Sequence, residues 1–344
     1  MAYLASLENY APARARGFES HPLRHKIGII NKMKFKKAVL IKIADDHFDP
    51  KYLDKLNSLV EEKVSLTLED PQLERERELK DCDCLLLGFQ VPVGEDILDA
   101  APNLKLINIL ATAYGTVDIA AAAKRNIPVC NLGGYSTESV AEFTIAAILH
   151  EIRNIEEGLK RARSGNYSFD GIRARELKNS NFGVIGLGNI GNRVAELAAG
   201  FGANVSYWSR SKKDSPFKYK ELDDLLGSCT YISVNVAEAE GTIKLLNNNL
   251  QLIKSNSILI STVPPSIVDT DSLVERLSKN DITFISDHPD EMEEGDLNKL
   301  KTLKNVVFYP PIAFLSDEAR IAKQETFIGN MTKFLEGSFQ NKVN

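Results

Sequence analysis

Three glycines within six residues, Gly186-Leu187-Gly188-Asn189-Ile190-Gly191, give the clearest chemical signal in the chain. An apolar run leads into them and an apolar-periodic stretch, 194–199, leads out, which is the strand–turn–helix setting of a dinucleotide cradle. The first glycine permits the tight turn, the second lets the backbone approach a pyrophosphate, and the third lets the helix pack on the strand. The helix N-terminus then points unpaired N–H groups and partial positive charge at phosphate. Gly186, Gly188, Asn189, Ile190 and Gly191 are therefore expected to hold a nicotinamide dinucleotide. About 20 residues on, an acidic side chain would bind the ribose hydroxyls of NAD. Here the sequence reads Ser209-Arg210-Ser211-Lys212-Lys213 instead. Hydroxyls beside a guanidinium fork and two ammonium groups suit a 2′-phosphate, so NADP(H) is expected in preference to NAD(H).

The elements that must carry this turn are legible as alternating apolar runs and amphipathic stretches. Strands are predicted at 38–43, 65–68, 84–89, 104–110 and 127–131, with Leu53, Leu56, Leu59 and Val60 at helical spacing after the first. A long helix is predicted from Ser136 or Thr137 towards Arg153 and beyond, on Val140, Phe143, Ile145 and Leu149. A second strand series follows at 182–187, 205–208, 231–236, 258–261, 282–286 and 306–309, and a final helix at 316–335. Strands alternating with helices imply an α/β architecture of two parallel sheets, each covered on both faces. The chain has 344 residues, 43% hydrophobic and 26% charged, which suffices for two cores and excludes wholesale disorder. A net charge of −5 argues against nucleic acid as a partner. No apolar run is long enough for a membrane span. Four cysteines in a chain of this length make no disulfide framework and point to the cytoplasm, and Cys82 and Cys84 around Asp83 lack the spacing of a redox or metal pair. Residues 1–32 break every period. The run from Arg14 to His25 reads like a translated transfer-RNA gene, so this stretch is expected to be a disordered or spurious extension before Met33.

Beyond the glycine turn, several segments in order make the chain resemble the D-isomer-specific 2-hydroxyacid dehydrogenases, which include glyoxylate and hydroxypyruvate reductases. They are Pro102-Asn103-Leu104-Lys105, Gly115 through Asp118, 127–142 (IPVCNLGGYSTESVAE), 183–191 (GVIGLGNIG), Phe201-Gly202 and Thr242 through Leu246. The resemblance implies two doubly wound domains. A discontinuous, flavodoxin-like substrate domain would comprise 33–135 plus 313–344, and a Rossmann cofactor domain 136–312. It also implies a homodimer and a small-molecule substrate, and it places Thr262 and Asp287 at the cofactor.

In that family an Arg clamps the substrate and a His acts as the acid, oriented by a Glu. At the matching positions this chain has Pro264 and Pro311, while the Glu segment is a crowd of acids at 287–294. Proline has neither an N–H nor a polar side chain. Candidates for the missing proton donor are His288, which follows Asp287 at a strand end, His47 after the first strand, and Tyr114 in a loop that faces substrate in the family. Tyr309, next to the lost His, is a further phenol, and His150 reads as structural. No metal site and no nucleophile triad is expected. Two functions follow as alternatives: an NADP(H)-preferring oxidoreductase on a CH–OH/C=O substrate with a non-standard active site, or a catalytically silent NADP(H)-binding sensor or regulatory protein.

Overall fold

The computed structural model describes residues 33–344, and the expectation for residues 1–32 lies outside the described residues. Five strands form a first sheet: β1 (Phe35–Ile41), β2 (Val60–Leu66), β3 (Cys84–Leu87), β4 (Leu106–Ile109) and β5 (Val129–Cys130). Their order is β2-β1-β3-β4-β5, and all pairings are parallel, which is the flavodoxin-like winding. Seven strands form a second sheet: β6 (Asn181–Ile185), β7 (Asn204–Trp208), β8 (Lys218–Tyr219), β9 (Tyr231–Val234), β10 (Ile258–Ser261), β11 (Thr283–Ser286) and β12 (Val306–Phe308). The order β12-β11-β10-β9-β6-β7-β8 reverses direction at β6/β9, the switch point of a Rossmann sheet.

Alternation along the central strands explains the layers. Val39, Ile41, Leu85, Leu87, Ile107 and Ile109 enter one core, and Ala38, Leu40, Cys84, Leu86 and Leu106 the core on the opposite face. Strands buried on both faces read as unbroken apolar runs, as Cys-Leu-Leu-Leu of β3 does. The second sheet is sandwiched in the same way. The helix Thr137–Ile152 lies on it beside the helix Asn189–Gly200 and buries Ala141, Ile145 and Ile148. It stops where Asn154 takes a left-handed backbone, and a separate helix, Ile155–Arg163, begins there.

The final helix, Asp317–Leu335, returns to the first sheet, where Phe327, Ile328 and Met331 join Phe35 and Leu40. Buried amides tie it in: Asn330 donates to Asn108 Oδ1 (2.8 Å) and to the Asn131 carbonyl (2.9 Å), and Asn108 donates to the Phe327 carbonyl (2.9 Å). Several strands end a residue or more away from the sequence reading, β8 is absent from it, and β2 differs most. Val60 opens β2, paired with Phe35, rather than closing the preceding helix. Its Val-Glu-Glu-Lys-Val start carries edge-strand charges that hide the strand. Among the described residues no helix is long and apolar enough to cross a membrane.

Candidate active site

The carboxyl end of β6 runs directly into the glycine turn. Gly186 has φ +96°, and a Cβ there would lie 2.8 Å from the Asn235 carbonyl oxygen, so only glycine fits the turn. A Cβ on Gly191 would come within 1.9 Å of the Gly186 carbonyl oxygen, which makes the third glycine the one that lets helix Asn189–Gly200 sit on the strand. Gly188 differs: a Cβ there meets nothing within 4 Å. The space over Gly188 belongs to a cleft of about 590 Å³ lined by Leu187, Asn189, Asn192, Arg193, Lys213 and Glu138, among others. Ile190 is half-buried and packs its side chain against the core. Asn235, just after β9, spends its side-chain amide N–H groups on Ser233, while its side-chain oxygen Oδ1 is buried without a partner among the described residues. A backbone cradle with open space above it and an orphaned acceptor at its edge fit a dinucleotide.

At the end of β7, Ser209 is buried and donates to the Ser211 carbonyl (2.7 Å). The Tyr207 hydroxyl closes the same loop by accepting from Lys213 N (2.9 Å). Arg210 and Lys212 are exposed and have no ion pair among the described residues, whereas Arg193 is occupied by Glu138 and Glu196. With Lys213, whose ammonium is likewise in no ion pair among the described residues, the loop presents three free cations.

A second cleft, of about 440 Å³, opens between the carboxyl ends of the two sheets. Phe89 and Gln90 line it from the loop after β3; Glu238, Pro264, Pro265, Ser266, Asp290 and Glu291 line it from the loops after β9, β10 and β11. Pro264 thus stands on the cleft wall. Thr262, half-buried, lies on the same loop. Asp287 is fully buried at the end of β11 and uses both oxygens: Oδ1 accepts from His288 Nδ1 (2.7 Å), and Oδ2 accepts from Ala313 N (3.0 Å). One carboxylate therefore holds the His288 ring and the loop that carries Pro311. Burial lowers the pKa of His288, but the hydrogen bond to Asp287 and the charges of Asp287, Glu291 and Asp290 outweigh it, and the net shift is upward. Glu291 is raised by its burial and by the neighbouring charges of Asp290, Glu238 and Asp287, with His288 opposing.

His288 lines neither cleft itself; it lies two residues before Asp290, which lines the inter-sheet cleft with Glu291. The remaining candidates lie farther along the chain from that lining. His47 is exposed, its Nδ1 accepting from Ala44 N (3.3 Å) in the turn Asp45–His47, and it lines neither cleft. Tyr114 is exposed and also lines neither. Tyr309 turns its ring edge onto Phe143 and its hydroxyl towards His150 Nδ1 (3.4 Å), so both serve packing. Sequence reasoning missed Phe89, Gln90 and Glu238. The signal that could have found them is position, because each follows the carboxyl end of a strand near a switch point.

Residues 145–313 match the family described as D-isomer specific 2-hydroxyacid dehydrogenase, NAD binding domain. A glyoxylate reductase of Thermococcus litoralis is 32% identical over 286 residues, which is 79% of this chain and 86% of the relative. The fold is similar to D-lactate dehydrogenase of Aquifex aeolicus, solved with NAD and lactic acid, at a TM-score of 0.75 and 27% identity over 87% of this chain and 96% of that one. An acyclic imino acid reductase solved with NADPH and D-Arg shares the fold, with a TM-score of 0.80 at 23% identity over 90% of this chain and all of the other. The sheet orders, the glycine turn and this extent of similarity agree: the chain belongs to the D-isomer specific 2-hydroxyacid dehydrogenase family, whose members are NAD(P)-binding oxidoreductases.

Proposed function

We propose that this protein is an NADP(H)-preferring oxidoreductase that reduces a carbonyl compound, with His288 as the proton donor in place of the lost family acid. The observation that carries the reading is the Asp287 carboxylate, shared between His288 Nδ1 and Ala313 N beside the inter-sheet cleft. A carboxylate only accepts, so Nδ1 carries a proton and Nε2–H of the imidazolium is the donor. When bound, the reduced nicotinamide supplies a hydride to the carbonyl carbon. His288 gives the proton to the carbonyl oxygen, an alcohol results, and the neutral ring is reprotonated from solvent. Asp287 holds the tautomer and the orientation. Pro264 removes the charged clamp on a substrate carboxylate; loss of one such hydrogen bond costs about 1.5–3 kcal/mol.

Gly186, Gly188 and the N–H groups at Asn189, Ile190 and Gly191 would take the pyrophosphate, with Ser209, Arg210, Ser211 and Lys212 around the 2′-phosphate and Thr262 near the nicotinamide. Support for the substrate part being 33–135 with 313–344, and the dinucleotide part 136–312, comes from the last helix, which buries Phe327 and Met331 in the first sheet's core. A cytoplasmic setting is supported by four buried free cysteines. A homodimer through the dinucleotide part is supported by Tyr167 and Phe169, which are 83% and 82% exposed after the helix Ile155–Arg163.

Separate fluorescence titrations with NADPH and NADH test the cofactor assignment. NADPH should bind more tightly, and Arg210→Ala should remove about 10- to 150-fold of that preference, the equivalent of one charged hydrogen bond. Equal affinities in the unmodified protein would refute it. Tight NADPH binding with no carbonyl reduced would instead favour a silent sensor.

A further inference from the structure

Resting on the reading that the inter-sheet cleft receives the substrate, we infer that it selects a carbonyl compound bearing a fixed positive charge, of the quaternary or protonated ammonium class, over a 2-oxo acid. Three carboxylates, Glu238, Asp290 and Glu291, line a cleft whose other lining residues are Phe89, Gln90, Pro264, Pro265 and Ser266. None of the lining side chains is a cation. None of the three carboxylates is in a salt bridge among the described residues, and Ser266 fixes one of them by donating its hydroxyl to Glu238 Oε2. Lys42 bonds a lining residue only through the backbone, its ammonium meeting the Phe89 carbonyl (3.1 Å), and the neighbouring His288 imidazolium offsets one charge of the three, so the lining stays net acidic.

The opposite wall adds an independent element. Phe89 is a large aromatic ring, 43% exposed, on the loop after β3. An aromatic face combined with carboxylates is the chemistry that recognises alkylammonium groups. The same cleft opposes an anion: a carboxylate entering it would meet like charges in a partly desolvated space where Coulomb terms are less screened than in bulk water. Replacement of the family arginine by Pro264 and the acidic lining therefore act in one direction. The first withdraws attraction for an anionic substrate, and the second supplies attraction for a cationic one.

The test uses pairs that differ only in charge. Trimethylammonio-acetaldehyde is compared with its uncharged isostere 3,3-dimethylbutanal, and with glyoxylate, by NADPH oxidation. In parallel, calorimetry on the NADP+-bound protein compares choline, 3,3-dimethylbutan-1-ol and glycolate, which requires no turnover. The cationic member should win each comparison by about tenfold or more at low ionic strength. The advantage should shrink towards unity at about 0.5 M salt and in the Glu238→Gln/Glu291→Gln double variant, with KM moving more than kcat. Equal affinities, absence of choline binding, or tighter binding of glycolate would overturn the inference. Tight choline binding without reduction of any aldehyde would leave the charge preference standing and defeat the oxidoreductase reading.

Discussion

At the scale of single residues, two prolines and one dyad decide the chemistry. Pro264 and Pro311 cannot grip or protonate anything, so a reaction in this cleft depends on groups the family does not use for those tasks. His288 is held on Asp287 at 2.7 Å and one-fifth exposed, which leaves its other ring nitrogen available. Its pKa is raised, and reduction requires the imidazolium. The rate should therefore stay level at low pH and fall as pH rises through the raised value, while alcohol oxidation shows the reverse slope. Asp287→Asn should move that limb to lower pH, because the hydrogen bond and charge that raise the pKa are lost. His288→Asn should cost about 10²–10⁴-fold in turnover with NADPH affinity retained; a variant whose pH profile and rate match the unmodified protein would exclude His288. This dyad was legible in the sequence as adjacent letters. Glu238 and Phe89 were not, since they reach the cleft from strands far apart in the chain and no local pattern joins them.

At the scale of elements, the glycine turn separates fold from ligand. Gly191→Ala forces a Cβ into the Gly186 carbonyl, so both thermal stability and dinucleotide binding should fall. Gly188→Ala meets open space in the structure and should leave the melting temperature within the usual scatter, yet it should weaken NADPH binding severely by filling the room above the helix N-terminus. Calorimetric melting together with cofactor titration of both variants checks this; a Gly188→Ala protein with unchanged affinity would show that no pyrophosphate sits there. The strand–turn–helix at Gly186 was readable because its information is local and the strand is buried on both faces. Val60 and the two-residue strand β8 were harder: an edge strand under charge pressure carries no apolar run, and tertiary pairing alone defines it.

At the scale of the whole molecule, parallel sheets and their order follow from strand–helix alternation, and the return of the last helix to the first sheet needed the family resemblance. Nothing in its own periodicity says which core receives Phe327, although the buried Asn108–Asn330 pair fixes the answer once both are folded. If the exposed Tyr167 and Phe169 mark a self-association surface, light scattering should give twice the chain mass, and Tyr167→Ser with Phe169→Ser should give a folded monomer; a monomeric unmodified protein would end that proposal. The central claim, nicotinamide-dependent reduction with His288 as acid, is tested most directly by isotope transfer. The protein is incubated with NADPH deuterated at C4 on the transferred face and with charged and uncharged aldehydes, and the alcohol is examined by mass spectrometry. We predict one deuterium on the carbinol carbon, formed at least about 100-fold more slowly by His288→Asn. NADPH bound by the protein with no deuterium reaching any alcohol, or His288→Asn transferring it at the full rate, would contradict the account.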